Sequence, residues 1–404
     1  MDAERYYGEN ADRQAIEKRY LALEERMKAK GTLPERFFSS SGRAEILGNH
    51  TDHQHGKVIV SAISCDIIAG VAKRSDRMIE ICSEGFYPIR FSLDDLSLKT
   101  GEVGKSVAMA KGVAKNLTDR GYTLGGFTAY TDSCVFRGAG VSSSAAFEVL
   151  IAEIFNDLYL EGRLTAVDKA AIGQYAESEY FGKPCGLLDQ SGVAYGGMNL
   201  IDFKVPSSPV SERLAPPPGY SIVITNTGGS HSALTEHYAA IKNEMKSVAA
   251  YFGKEALRHV YYREFIDGVA GLKKVVSERA ILRAFHFFDE NRRVEIAARA
   301  LKENHTGEFL RCVEESGDSS VAYLQNAFVP GSDRQPILLG VKLSKRLIRD
   351  GAVRLHGGGF AGTVLAILAE KEEERYVSSM AKIFGAENVF RAKIRPSGAE
   401  RVDR

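Results

Sequence analysis

The stretch from Gly138 to Ala146, GAGVSSSAA, joins glycines and three hydroxyls to an apolar pattern of helical spacing that ends at Gly162. The start of a helix has unpaired N–H groups and a partial positive charge, so it favours an anion such as phosphate. Glycines let the backbone approach that anion, and hydroxyls can cap the helix or reach Mg2+. A phosphate loop and an ordinary serine-capped helix both fit. The Walker pattern is excluded, because no Gly-Lys-Ser/Thr follows.

A second polar stretch, GRAEILGNHTDHQHG, runs from Gly42 to Gly56 and crowds hydrogen-bonding side chains into a short space. Sugar hydroxyls need directional donors and acceptors, so this density is typical of a sugar site. Two other interpretations stay open. One is a metal site built from His50, His53 and His55, although their spacing fits no strong zinc pattern. The other is a solvated polar loop.

A third candidate is Asp189 in the turn CGLLDQ, which begins at Cys185. A carboxylate beside a glycine in an apolar turn can serve as a general base, because partial burial and a nearby cation would tune its pKa. The local sequence by itself favours an exposed aspartate that starts the next segment. Cys185 could suggest a nucleophile, but no nearby His/Asn pattern supports that role, so a small packing residue is the favoured interpretation.

Predicted helices and strands position these motifs. Helices are predicted over 106–120, 166–181 and about 232–252, and strands over 57–63, 220–227 and 363–368. The glycine run 357–362 precedes the last of these strands, where it either brings backbone close to a ligand or makes a tight turn. The stretch 204–219 holds five of the eleven prolines. It predicts a linker and a division into domains 1–205 and 206–404.

The bulk composition excludes several classes of protein. The chain has 404 residues and a net charge of +1 without a long block of one sign, so neither nucleic acid nor a membrane surface is an expected partner. It has no signal-peptide core near Met1 and no apolar run of about 18 residues. Its five cysteines show no CxxC spacing. A cytoplasmic protein without an obligate protein partner is expected.

Five motifs in this order resemble those of the GHMP kinases, and of the galactokinases among them. They are the sugar signature 42–52, the phosphate loop 138–146, the catalytic turn 185–190, the segment 226–238 and the late glycine motif 357–362. The resemblance implies an α+β, two-domain GHMP kinase fold with the active site in the cleft between the domains. It also implies phosphoryl transfer from ATP, with Mg2+, to the anomeric hydroxyl of galactose, giving galactose 1-phosphate.

The resemblance also implies a role for individual residues. Asp189 is the expected base and Arg43 its catalytic partner, while Ser144 and Glu177 are the expected magnesium ligands. The expected sugar contacts are Asn49, His50, Asp52, His53, Gly186 and Tyr238. The expected ATP contacts are Gly138, Ala139, Gly140, Val141, Ser142, Ser143, Ser144 and Ala145. The glycines expected to line the cleft are Gly357, Gly358 and Gly359.

The chain departs from the galactokinase pattern at several positions. Asn49 replaces a usual glutamate that addresses the sugar's C6 hydroxyl, and His53 replaces a usual tyrosine. Ser230, Ser106 and Phe136 replace an arginine, an aromatic residue and a proline. An asparagine amide can donate to a carboxylate or bond a hydroxyl, so galacturonate or another C6- or C2-modified galactose is the alternative substrate. A non-catalytic sensor of galactose and ATP is the alternative from another class.

Overall fold

The structure, a computed structural model, describes residues 3–8, 11–135, 140–183, 185–229, 234–360 and 362–403. Several residues of the predicted motifs lie outside this part of the chain, namely Phe136, Gly138, Ala139, Ser230, His231, Ser232 and Ala361.

The strands make two sheets. In chain order they are β1 (Arg36–Leu47), β2 (Lys57–Lys73), β3 (Met78–Ser83), β4 (Ile89–Ser92), β5 (Phe127–Ser133), β6 (Met198–Asp202), β7 (Val210–Leu214), β8 (Tyr220–Asn226), β9 (Gly351–His356), β10 (Thr363–Ala369), β11 (Val389–Ala392) and β12 (Glu400–Val402). The first sheet has the order β12-β1-β2-β5-β3-β4, with β6 paired to β2 and β7 to β6. The second has the order β11-β8-β10-β9.

Helices cover these sheets. In chain order they are α1 (Ala3–Tyr7), α2 (Arg13–Lys28), α3 (Ser106–Asp119), α4 (Ser143–Tyr159), α5 (Ala166–Tyr175), α6 (Leu188–Tyr195), α7 (Thr235–Tyr251), α8 (Tyr262–Leu272), α9 (Glu278–Lys302), α10 (Thr306–Ser319), α11 (Pro336–Leu347) and α12 (Glu370–Phe384). None of the helices in the described ranges has the length and hydropathy that crossing a bilayer requires.

The long strands β1 and β2 are buried along nearly their whole length. Their burial is continuous because both faces of the sheet are covered. On one face, α4 supplies buried side chains such as Val149 and Phe155 to the largest core. On the other face, Tyr20 and Leu23 of α2 pack against Ile68 of β2. The sheet is therefore a rigid base for the residues that β1 carries.

The second sheet is built from strands of the second half of the chain. Val353 and Val364 on its strands pack against Tyr376 and Met380 of α12. A separate apolar cluster holds together α7, α8 and α9. Arg354 of β9 donates to the carboxylate of Glu45 on β1 at 2.9 Å, and both side chains are buried. The active-site segments of β1 therefore meet the second half of the chain directly.

The predicted elements agree with the structure except at three places. The strand predicted over 57–63 continues as β2 to Lys73, because strands on both sides pair with it. The stretch 204–219, predicted as a linker, contains β7, which pairs antiparallel with β6. It forms at a sheet edge with mostly exposed side chains, where strand formation depends on the partner strand more than on local composition. The helix predicted over 166–181 changes at Tyr175 into a π-helical turn, Ala176–Phe181. Such turns are frequent at functional sites, and this one carries Glu177.

Candidate active site

Arg43 and Asp189 form an ion pair at the centre of the site. Arg43 lies on β1, and Asp189 lies in the first turn of α6. The Oδ1 atom of Asp189 accepts from Arg43 Nε at 2.9 Å and lies 2.7 Å from Arg43 Nη2. Arg43 also donates through Nη1 to the carbonyl oxygen of Gly140. One buried guanidinium thus links the predicted base to the predicted phosphate loop.

The charges around Asp189 favour its ionised form. Burial raises the pKa of this carboxyl, but the guanidinium of Arg43, the Ser142 hydroxyl and the ammonium of Lys183 outweigh it, so the pKa lies below its ordinary value. Ser142 has a φ of 60° immediately before α4, a conformation that non-glycine residues rarely adopt. Asp189 is therefore a carboxylate at neutral pH, as a general base must be.

Ser144 and Glu177 face each other, and their oxygens suit a hard cation. Ser144 Oγ lies 3.1 Å from Glu177 Oε1, and Glu177 is almost completely buried. Gln190 holds the other carboxylate oxygen, since its Nε2 donates to Glu177 Oε2 at 2.8 Å and to Glu148 at 3.1 Å. A hydroxyl with one or two carboxylates is a ligand set that Mg2+ accepts when phosphates and water complete the shell. The residues present therefore fit Mg2+.

The sugar signature lies next to the ion pair. Asp52 accepts a hydrogen bond from the backbone N–H of Leu188 at 3.1 Å, one residue before the predicted base. Burial raises the pKa of Asp52, and the charge of Asp189 contributes to the rise. The ring of His50 is bonded through Nε2 to the carbonyl oxygen of Gly358 at 3.0 Å. The structure thus brings the first and last predicted motifs together with the catalytic turn.

Gly186 is packed against Asp52, so replacing it with alanine is expected to weaken sugar binding. An added Cβ would lie 1.8 Å from Asp52 Oδ2, and this carboxylate would have to move. A misplacement of about 1 Å in an active site can lower a reaction rate by about a hundredfold. We therefore expect the Kd for sugar to rise by about tenfold to a hundredfold when this carboxylate moves. Calorimetric titration with galactose measures it. Gly307→Ala on α10, where a Cβ meets open space, is the control. Unchanged affinity in Gly186→Ala would contradict the placement of Asp52.

The late glycine motif closes the site from the other half of the chain. Tyr238 donates to the carbonyl oxygen of Gly359 at 2.8 Å. A Cβ on Gly358 would lie 2.7 Å from the Tyr238 ring, and one on Gly357 would lie 3.2 Å from the Gly140 carbonyl oxygen. Gly357 and Gly359 also have φ values of 72° and 81°. Glycine is needed here for close approach and for backbone conformation.

Asn49 is completely buried and bonded to protein groups on every side. Its Nδ2 donates to Glu45 at 2.9 Å and to the carbonyl oxygen of Gly357 at 2.8 Å. Its Oδ1 accepts from Asn326 at 2.8 Å and from Ser320 at 3.3 Å. The Asn49 amide therefore connects the sugar signature to the second half of the chain by hydrogen bonds. A direct contact between Asn49 and the sugar stays a prediction.

Helix α9 contributes two positioning residues that the sequence did not reveal. His286 Nε2 donates to the carbonyl oxygen of Asn49 at 3.0 Å, and burial lowers the pKa of this histidine to about 4. Glu290, one turn later, accepts from the backbone N–H of Gly48 at 2.9 Å and from Ser316 Oγ at 2.6 Å. Their four-residue spacing puts both on one helix face. No pattern in the sequence indicates that this face meets residues 48 and 49.

Two family profiles match the segments that build this site. The profile described as "GHMP kinases N terminal domain" matches residues 108–197, which include the predicted phosphate loop and the predicted base. The profile described as "Galactokinase galactose-binding signature" matches residues 24–73, which include Arg43 and the sugar signature.

Solved structures share the fold. Galactokinase from Lactococcus lactis, solved in complex with galactose, has a TM-score of 0.83 at 22% identity, over 95% of this chain and 100% of that one. Mevalonate kinase from Methanococcus jannaschii has a TM-score of 0.62 at 14% identity, over 89% and 98%. Phosphomevalonate kinase from Streptococcus pneumoniae, in complex with phosphomevalonate and AMPPNP, has a TM-score of 0.61 at 11% identity, over 91% and 99%.

These structures have the two-domain α+β architecture found here, and the two profiles cover the residues that form the site. The residues predicted to form the phosphate loop, the base and the sugar signature lie together in this fold. The matched profiles, a kinase domain over 108–197 and a galactose-binding signature over 24–73, indicate a sugar phosphotransferase similar to the GHMP kinases and to the galactokinases among them.

Proposed function

We propose that the protein is a galactose 1-kinase that transfers the γ-phosphoryl group of ATP to the anomeric hydroxyl of galactose. One observation carries this proposal. The Arg43–Asp189 ion pair lies between the Gly140 carbonyl of the phosphate loop and the backbone contact of Asp52 to α6. A hydroxyl bound beside Asp52 and a phosphate bound at the loop would meet at Asp189. The match to the galactose-binding signature supports galactose as the sugar.

In the proposed reaction Asp189 accepts the proton of the C1 hydroxyl. The sugar oxygen forms a bond to the γ-phosphorus, the bond from that phosphorus to the β–γ bridging oxygen breaks, and ADP leaves with the electron pair. Arg43 keeps Asp189 ionised and offsets charge on the transferring group. Phosphoryl transfer depends on positioning and charge neutralisation more than on covalent chemistry, which is what this site offers.

The nucleotide and its cation are assigned to the start of α4. The backbone of Gly140, Val141, Ser142, Ser143 and Ala145 would hold the phosphates, since helix starts favour phosphate. Ser144 and Glu177 would hold Mg2+. When bound, Mg2+ neutralises charge on the β- and γ-phosphates. We further propose that the chain divides into two domains near 205/206, with β7 and β12 of the second half returning to the first sheet, and that the enzyme works in the cytoplasm.

The C6 side of the sugar supports a second candidate, galacturonate. Burial and the neighbouring His50 hold the pKa of His53 well below its ordinary value. Within the described residues His53 Nε2 is buried without a hydrogen-bond partner. A ring nitrogen free to donate, at a position predicted to contact the sugar, would suit a carboxylate.

ADP release with Mg-ATP and galactose, galacturonate, N-acetylgalactosamine or glucose separates these candidates. Turnover on galactose with the highest kcat/KM is the expected result. A higher kcat/KM on galacturonate would establish the second candidate. Absence of turnover on every sugar, together with measurable galactose binding, would overturn the kinase assignment in favour of a non-catalytic sensor.

A further inference from the structure

Lys183 lies at the predicted magnesium site and belongs to none of the motifs predicted from the sequence. Its Nζ donates to Glu177 Oε1 at 2.8 Å. That same oxygen accepts from Ser144 Oγ at 3.1 Å. The Glu177 side chain is 1% exposed, whereas the Lys183 side chain is 48% exposed. The ammonium of a half-exposed lysine and a buried carboxylate thus meet at the oxygen expected to bind the cation.

The charge of Lys183 also reaches the base. Together with Arg43 it lowers the pKa of Asp189. Arg43 is held by Asp189 and by the Gly140 carbonyl, and its side chain is only 4% exposed. Arg43 therefore has little freedom to follow a moving phosphoryl group. Lys183 has that freedom, because its charge sits at the end of a flexible four-carbon stem.

Lys183 and a divalent cation compete for Glu177. Two positive charges on one carboxylate oxygen repel each other strongly in a buried site. When Glu177 binds a cation, the ammonium needs another partner close by. The terminal phosphate of ATP is the anion that the proposed reaction brings there, and lysine binds phosphate as a point charge.

We propose that Lys183 is a phosphate-binding residue that exchanges between two partners: Glu177, as in this structure, and a terminal phosphate oxygen of ATP once Glu177 binds Mg2+. The proposal rests on the proposed kinase function. It adds a cation to the transfer step and makes Lys183 a competitor of the metal.

Lys183→Met, Lys183→Arg and the wild-type chain test this exchange by binding. With Mg2+ present and no sugar, ATP should bind Lys183→Met about tenfold to a hundredfold more weakly than wild type, because a charge-assisted hydrogen bond is lost. In EDTA, where Lys183 keeps Glu177 as its partner, this difference should largely disappear. Without nucleotide, Mn2+ followed by electron paramagnetic resonance should bind the same variant several-fold more tightly, because its competitor is gone. Lys183→Arg should restore most of the ATP affinity. Lys115→Met, which removes an exposed lysine paired with Asp119, should leave both affinities unchanged.

The steady-state kinetics of Lys183→Met are a third test of the exchange. With Mg-ATP and galactose, kcat of Lys183→Met should fall by about tenfold to a hundredfold while KM for galactose stays within a few-fold. Wild-type affinity of Lys183→Met for either Mg-ATP or Mn2+ would overturn the exchange and leave Lys183 as an ion pair with Glu177 only. If the wild-type chain phosphorylates no sugar, the proposed function fails. The two titrations still decide the role of Lys183, because neither needs turnover.

Discussion

Asp189→Asn is expected to lower kcat for sugar phosphorylation by about a thousandfold or more, within the range that general base catalysis supplies. Asparagine keeps the shape of the side chain and can still accept a hydrogen bond from Arg43, but it cannot take the proton of the C1 hydroxyl. Galactose binding should stay within a few-fold of wild type. Initial rates of ADP release and calorimetric titration with galactose measure the two quantities.

The matched control for this variant is Asp94→Asn. Asp94 forms an exposed ion pair with Arg77, so the same chemical change there should leave kcat near the wild-type value. Retention of most of the wild-type rate in Asp189→Asn would show that another group accepts the proton, and the assignment of the base would be wrong.

Arg43→Met is expected to have the second-largest effect, a fall in kcat of about a hundredfold to a thousandfold, as for removal of one electrostatic donor at a reacting centre. It should also change the pH dependence. Arg43 holds the pKa of Asp189 below its ordinary value against the effect of burial, so its loss raises that pKa. In the wild-type enzyme Asp189 should become protonated, and kcat should fall, only at a pH below the ordinary pKa of an aspartate. In Arg43→Met the acid limb of the profile should begin at higher pH.

The pH–rate profile separates a catalytic Arg43 from one that is only structural. The substitution Arg43→Lys keeps a positive charge beside Asp189, so this variant should retain a wild-type-like acid limb even though its rate is lower. An acid limb at the same pH in wild type, Arg43→Met and Arg43→Lys would contradict the electrostatic coupling of the pair.

The proximity of the main chemical groups could be anticipated from the sequence. Arg43 and Asp189 are 146 residues apart and Ser144 and Glu177 are 33 residues apart, yet both pairs lie within hydrogen-bond distance. The resemblance to the galactokinases carried that information, because it implied a shared role for the members of each pair, whereas the local sequence by itself favoured an exposed Asp189. The roles assigned to them stay predictions until variants are measured.

Other features depended on tertiary contacts that no local pattern encodes. The hydrogen-bond partners of Asn49 come from residues 4 to 308 positions away. The sequence therefore indicated a sugar contact at Asn49, which stays a prediction, but not the buried hydrogen bonds to the second half of the chain. His286 and Glu290 could be placed on one helix face but not against residues 48 and 49. The strand β7 formed in a proline-rich stretch because β6 offered it an edge.

Phosphorus NMR of the products tests the central claim most directly. The purified chain is incubated with Mg-ATP and galactose, and the spectrum is recorded as ADP accumulates. We expect a new phosphate resonance coupled to the anomeric proton of galactose, produced by the wild-type chain and absent with Asp189→Asn. A phosphate on any other sugar oxygen, or ADP and free phosphate without a phosphorylated sugar, would contradict the assignment of a sugar 1-kinase.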